Sequence, residues 1–339
     1  MTRATIILAM PKSNGIAELV EKNLQFHGYK VLRVDQILEF KYNNLRERLT
    51  QFFHKIIFRN NSYKNKLKAQ HSLEKAKKIL VNQYYDYALV IRPDKYSAEV
   101  LTLLKQHTKK EFIGYQWDGL NRFPVKRLIP MFDKFFIFDQ TDMENPEYKN
   151  LKLHSTTNFY FDIIKPQPHK NKQQVAYFIG DHQACRIEAI ETCAAKLAEN
   201  GVAIKFIIPT SKYNDIKCYQ SRLIKFGKKN RLNYLDNLKN VISADILVDF
   251  VIDNHNGLSF RHFEALYFQK KLITTNIYIK NYDFYHPNNI FIWNENKPDE
   301  LMEFLNKPFY PINNKIVKKY SFKNWIHNIL DTSPNDNEI

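Results

Sequence analysis

Residues 244–276 read ADILVDFVIDNHNGLSFRHFEALYFQKKLITTN, and the succession of residue types within them decides the fold. The run 246–252 is apolar and of strand length, and Gly257 breaks it just before Ser259. From Ser259 onward the apolar residues Phe260, Phe263, Ala265, Leu266 and Phe268 recur at helical spacing. Ser259 is a natural N-cap, because its short hydroxyl reaches the unpaired N–H groups of a first turn. A helix is thus expected to start over a loop at the carboxyl end of a strand.

In an open α/β sheet ligands collect at that place, since a helix N-terminus offers free backbone N–H groups and a partial positive charge to an anion. Arg261 falls in the first turn, where the helix dipole disfavours a cation unless an anion shares the site. His262 stands ready to assist it, and Glu264 projects from the same turn. A guanidinium for phosphate beside a carboxylate for sugar hydroxyls makes a nucleotide-sugar clamp. The same two residues also fit a plain i,i+3 surface pair on an ordinary helix.

The segment Gly257-Leu258-Ser259-Phe260-Arg261-His262-Phe263-Glu264-Ala265-Leu266, followed by Lys271-Leu272-Ile273-Thr274-Thr275-Asn276, resembles the donor-binding segment of GT-B glycosyltransferases. More narrowly, it is similar to transferases of bacterial lipopolysaccharide and capsular polysaccharide clusters, and YQWDGLNRFP (115–124) also resembles a recurring signature there. The resemblance implies an α/β fold of two Rossmann-like domains facing each other across a cleft. Gly257, Leu258, Ser259, Arg261, His262 and Glu264 would contact the donor, with Glu264 on the ribose. The common retaining pattern has a second glutamate eight positions before Glu264, where this chain has Asn256, so retention or inversion is not implied.

At 339 residues the chain exceeds what one core usually serves, so two domains are expected. With 25 Phe and 20 Tyr against 8 Gly, it is built for a large aromatic core and not for disorder or repeated Gly-rich loops. Cys185, Cys193 and Cys218 are too few and too oddly spaced for a disulfide framework or zinc site, which points to a reducing, cytoplasmic setting. The formal net charge of +16 calls for an anionic partner: a phosphorylated substrate, a phospholipid surface or nucleic acid.

The first domain, residues 1–165, opens as strand (5–10), tight loop (11–15), helix (16–26) and strand (30–34). This is Rossmann-like, but the loop lacks G-x-G-x-x-G, so a dinucleotide is not expected. By the resemblance, Lys12, Asn14 and Gly15 face the cleft as acceptor contacts; as plain residues they make the turn. Residues 41–80 form a basic amphipathic helical insertion with eleven Lys or Arg against two Glu. Its apolar stripe has two readings: insertion into an anionic membrane surface, or packing on the sheet, since both have the same period. Further strands are expected at 87–91, 112–116 and 134–138, with a helix capped by Ser97 between the first two. Asp118, at the exit of 112–116, is the candidate catalytic base, with Trp117 stacking on a sugar; the alternative is an Asp-Gly turn.

Residues 165–172 (KPQPHKNK) read as the linker. The donor domain, 173–315, begins with a strand at 175–179, the loop Gly180-Asp181-His182, and a helix over 184–200. Gly180 would let a phosphate approach the backbone, with Arg186 in reach. The remaining expected elements are a strand at 202–208, helices at 233–241 and 298–305, and a strand at 289–293. A last helix, 316–330, is expected to cross back to the first domain by the resemblance.

The expected function is transfer of a sugar from a nucleotide-sugar donor to a bacterial surface glycan or lipid-linked glycan, without cofactor. The chain has no Asp-x-Asp motif, so no metal is expected; Arg261, the helix N-terminus and Lys270 or Lys271 would stabilise the departing diphosphate. The expected place is the cytoplasm, with peripheral contact at the inner face of the membrane and no nucleic-acid partner. The rival class is a non-enzymatic nucleic-acid-binding protein, which no helix-turn-helix, zinc-finger or RNP pattern supports. A degenerate GT-B scaffold without activity is the third possibility.

Overall fold

The computed structural model describes residues 4–167, 171–252, 256–293 and 299–332. The first half runs β1 (Thr5–Ala9), α1 (Ile16–Phe26), β2 (Lys30–Arg33), α2 (Leu45–Phe58), α3 (Ser62–Leu80), β3 (Tyr85–Ile91), α4 (Ala98–Gln106), β4 (Thr108–Gln116), β5 (Lys134–Ile137) and β6 (His154–Ser155). The second half continues with β7 (Val175–Ile179), α5 (Ile187–Glu199), β8 (Ala203–Ile208), α6 (Tyr213–Ile216), β9 (Ile224–Phe226), α7 (Tyr234–Ser243) and β10 (Ile246–Asp249). It ends with α8 (Phe260–Tyr267), β11 (Lys271–Thr274), β12 (Ile290–Ile292), α9 (Glu300–Asn306), α10 (Asn314–Lys319) and α11 (Phe322–Ile329).

Both sheets are six-stranded, and every ladder within them is parallel. The first has the order β2-β1-β3-β4-β5-β6, the second β12-β11-β10-β7-β8-β9. Parallel strands covered on both faces must be apolar throughout, which is why β1 reads TIILA and not as an alternation. Successive side chains still go to opposite faces: Ile6 and Leu8 join one core, Ile7 and Ala9 the other. The chain direction of strand order reverses between β1 and β3 in the first sheet and between β7 and β10 in the second, leaving a crevice at each carboxyl edge.

One core cluster is continuous between the halves, holding Leu8 and Tyr115 together with Tyr177, Leu247 and Leu272. Helix α11 lies in it. Trp325 stands 5.4 Å from the Tyr115 ring and 4.3 Å from Phe159, and the Lys323 backbone N–H donates to Asp162 at 3.0 Å. Across the facing edges the Asn256 N–H donates to Asp139 Oδ2 at 2.7 Å, and Asn158 Nδ2 donates to the Leu258 carbonyl at 3.0 Å.

Several elements differ from their sequence expectation. The insertion 41–80 is two helices, broken where Arg59 turns left-handed at φ 49°. The final helix is likewise two, because Ser321 pairs with Tyr160 and then caps α11 by accepting from the Asn324 N–H at 3.1 Å. The strand 246–252 stops at Asp249, and the short strands β9 and β11 were not anticipated. The linker expected at 165–172 lies partly outside the described residues, at 168–170.

Candidate functional site

The site forms at the crevice between β7 and β10, from three elements. Helix α8 begins there because Phe263, Ala265 and Leu266 drive one face into the core, so Arg261 and Glu264 are carried in beside them. Glu264 is only 2% exposed. Its Oε2 lies 3.4 Å from Arg261 Nε, an ion pair whose N–H is not aligned for a hydrogen bond. From α7 the Tyr234 hydroxyl donates to Glu264 Oε1 at 2.6 Å, and from β7 the Tyr177 ring lies 5.2 Å from the Arg261 guanidinium. Burial pushes the Glu264 carboxyl above its ordinary range, against the opposing pull of Arg261 and the Tyr234 hydroxyl. Burial also holds the Tyr234 phenol well above its usual value.

Three buried polar atoms in this cluster have no hydrogen-bond partner: Arg261 Nε, Arg261 Nη1 and Glu264 Oε2. Leaving a buried donor or acceptor idle costs about 1–3 kcal/mol each, more when charged, so such groups mark a place where something else binds. A cavity of about 190 Å³, lined by Tyr234 but by neither Arg261 nor Glu264, opens between the halves. Ser13 and Asn14 line it from the loop after β1, and Gly180, Asp181, Arg231 and Tyr234 from the second half. Tyr234 is thus the shared wall between this cavity and the buried pair. The loop on the opposite side is held open by three consecutive left-handed residues, Ser13, Asn14 and Gly15, with φ of 42°, 55° and 87°.

The two parallel six-stranded sheets and their switch points are the parts of a known architecture. The structure of sucrose-phosphate synthase from Thermosynechococcus elongatus matches with a TM-score of 0.59 over 97% of each chain, at 12% identity. That of a lipopolysaccharide outer core galactosyltransferase, WaaB, in its apo form, matches with a TM-score of 0.55 over 97% of this chain and 98% of that one, at 10% identity. The fold is GT-B. No family model matches the sequence, and a search of curated proteins finds no significant match.

Within the GT-B frame the residues singled out from sequence are distributed unevenly. Arg261 and Glu264 come together as described. Ser259 occupies the N-cap position, but its side chain makes no capping bond; its hydroxyl donates instead to Asp249 Oδ1 at 2.7 Å. His262 is buried on the other side of the helix, with Nε2 3.3 Å from the Thr274 hydroxyl and Nδ1 3.2 Å from Ser259 Oγ. Leu258 is buried, its carbonyl tied to Asn158. Gly257 is a glycine because a Cβ there would fall 2.3 Å from the Phe138 ring, and Gly180 because a Cβ would meet Phe178 at 2.9 Å and the Arg186 guanidinium at 3.1 Å. At both positions a protein side chain occupies the space that a Cβ would take.

Arg186 is buried beneath that loop, where it donates from Nη1 to the Phe250 carbonyl at 3.3 Å and from Nη2 to the Asp181 carbonyl. It braces the loop from below. Among the acceptor-side residues, Asn14 lines the cavity, Gly15 lines a separate groove beside α7, and Lys12 is paired with Glu39. Trp117 packs edge-on against Phe260 at 6.0 Å, so the two halves meet through it. Asp118 binds Arg92 at 2.6 Å and Arg122 at 3.4 Å, and it does not line the cavity. Lys271 is turned away from the site: its ammonium donates to the Phe304 and Leu305 carbonyls at the end of α9, and burial lowers it to about 8.

Two contacts at the candidate site come from residues distant in sequence. Tyr234 reaches Glu264 from thirty positions away, and only the Asn233 cap just before it signalled that a helix starts there. Asp139 directly follows the strand expected at 134–138; it receives the Asn256 N–H, while Asn256 Nδ2 donates to Thr141 Oγ1 at 3.2 Å. A glutamate at 256 would bring a second carboxylate to Asp139, so the asparagine suits this junction.

Proposed function

We propose that this chain is a glycosyltransferase that takes its sugar from a nucleotide-sugar donor held in the second half. The observation that carries the proposal is the buried Arg261–Glu264 pair, with two idle guanidinium donors and one idle carboxylate oxygen at the switch-point crevice of a GT-B fold. Two free N–H groups of a guanidinium suit a phosphate, and the free Oε2 suits a sugar hydroxyl. Glu264 Oε1 is occupied by Tyr234, so a ribose hydroxyl either uses Oε2 or takes the place of the tyrosine.

The charge on the departing diphosphate is balanced in this reading by Arg261 and the N-terminus of α8, without a metal ion. The acceptor is a bacterial surface glycan, of the lipopolysaccharide or capsule type, entering from the side of Asn14 and Trp117. Asp118 is the acceptor-side carboxylate; because guanidinium groups hold it, taking a proton requires Arg122, at the longer distance, to give way.

The test is a calorimetric titration with UDP, GDP, CDP, CMP and ADP in EDTA. One nucleotide is expected to bind selectively, and Arg261→Ala to weaken that nucleotide's binding by about 10–10², the equivalent of about 1.5–3 kcal/mol for hydrogen bonds to a charged group. Glu264→Gln should weaken it less. A chain that ignores every nucleotide while binding RNA or DNA in a strongly salt-dependent way would replace this function with its rival.

A further inference from the structure

Helix α2 is built inside out. Leu45, Leu49, Phe52, Phe53, Ile56 and Ile57 lie on one side of it, and each is between 57% and 74% exposed. The inward side carries Glu47, Gln51 and His54, at i, i+4 and i+7, the residues of this helix that are not fully exposed. Their contacts to α3 and its entry are polar or aromatic: Glu47 Oε1 lies 3.4 Å from His71 Nε2, Gln51 Nε2 donates to Asn61 Oδ1 at 3.3 Å, and the His54 ring faces Tyr63 at 5.8 Å. An ordinary surface helix does the reverse.

We propose that α2 is a peripheral membrane dock that lies flat on an anionic lipid bilayer, with its apolar arc among the acyl chains and its basic residues at the headgroups. Charge complementarity selects this occupant. The insertion carries eleven Lys or Arg against two Glu, and Arg46, Arg48, Lys55 and Arg59 are exposed along or just past the arc. A second copy of the chain would bring the same positive charge against it. A nucleic acid would satisfy the charge and leave the six large apolar side chains in water. An anionic bilayer satisfies both.

The helix has 14 residues, about 21 Å at 1.5 Å per residue, too short for a hydrocarbon core of about 30 Å. Among the described residues no helix is long and apolar enough to cross a membrane, so α2 binds in the interface plane. The dock stands on observations separate from the donor site, and each can fail without the other.

The experiment is co-sedimentation of the full chain with phosphatidylcholine vesicles and with vesicles of phosphatidylcholine mixed with phosphatidylglycerol. Binding is expected to the mixed vesicles, to be weak on pure phosphatidylcholine, and to fall with salt. Phe53→Ser with Ile56→Ser should lower the partition coefficient more than tenfold, and each of Arg48→Gln and Lys55→Gln about fivefold, the equivalent of about 1 kcal/mol per charge. All four positions are exposed, so melting temperature and nucleotide response should match the parent chain. No sedimentation with mixed vesicles overturns the dock. So does a concentration-dependent dimer, or RNA binding, that the Phe53 and Ile56 substitutions abolish in its place.

Discussion

Helices α2 and α8 have the same kind of sequence, an apolar stripe at helical spacing mixed with arginine and glutamate, and the fold uses them in opposite ways. In α8 the apolar face is buried and draws charges in with it, leaving idle buried donors on Arg261. In α2 the polar face is inward and the apolar face is in solvent. Each is incomplete in the isolated chain, and in a different currency of interaction: α8 lacks hydrogen-bond partners, and α2 lacks apolar contacts. A small polar anion completes the first, and an extended apolar surface with negative charge the second.

The strongest way to break the comparison is to truncate matched phenylalanines. Phe263 is fully buried in α8, against Phe284 at 5.9 Å and Tyr320 at 5.4 Å. Phe263→Ala is expected to cost about 3–5 kcal/mol, the usual loss for an aromatic removed from a packed core, read as a fall in urea midpoint without change of slope. A cost under about 1 kcal/mol would mean that α8 is not seated as described and that its buried charges are in contact with water.

Those opposite uses explain what the sequence could and could not disclose. Residues with local signals were legible: α1 and β7 fall where expected, as does the cap of α4, whose Ser97 hydroxyl accepts from the Val100 N–H at 3.5 Å. The approach of Arg261 to Glu264 was legible too, because i,i+3 spacing fixes it. The orientation of α2 was not, since a stripe of period 3.6 is the same whether it faces core or solvent. Strands β9 and β11 have three and four residues, too few to show a period. Long-range partners left no local mark: Tyr234 on Glu264, Asp139 on Asn256, and Lys271 on the end of α9 depend on the packing of elements far apart in sequence. The glycines are ambiguous for a related reason, because close approach reads alike whether the visitor is a ligand or, as at Gly257, the ring of Phe138.

A second buried carboxylate sharpens the contrast with a smaller effect. Burial raises Asp142 to about 6, although the Leu120 N–H donates to it at 2.8 Å; nearby Asp139 adds to the rise. The ordinary value is 3.8, so the folded chain holds this proton more tightly than the unfolded one. The resulting stability is complete below about pH 4 and is lost as pH rises through about 6. Asp142→Asn keeps an oxygen for Leu120 and carries no charge. It should be more stable than the parent by about 3 kcal/mol at neutral pH, with the gain shrinking to nothing below about pH 4. Urea melts across that range check it; a gain that is independent of pH would show that ionisation of Asp142 is not its source.

The smallest expected effect is the most exacting test of α2. Phe53 is 58% exposed, and its ring contact is with the neighbouring Phe52, 5.9 Å away on the same helix. Phe53→Ala should therefore change stability by no more than about 0.5 kcal/mol, the range of surface substitutions that remove no cap, pair or core contact. Set beside Phe263→Ala, the same change of side chain differs by several kcal/mol according to which face it sits on. If Phe53→Ala instead costs more than about 2 kcal/mol in a chain free of lipid, the phenylalanine is buried against the protein in solution, and the apolar arc is not available to a membrane. If it costs nothing, the arc is a surface that water tolerates only until a bilayer covers it.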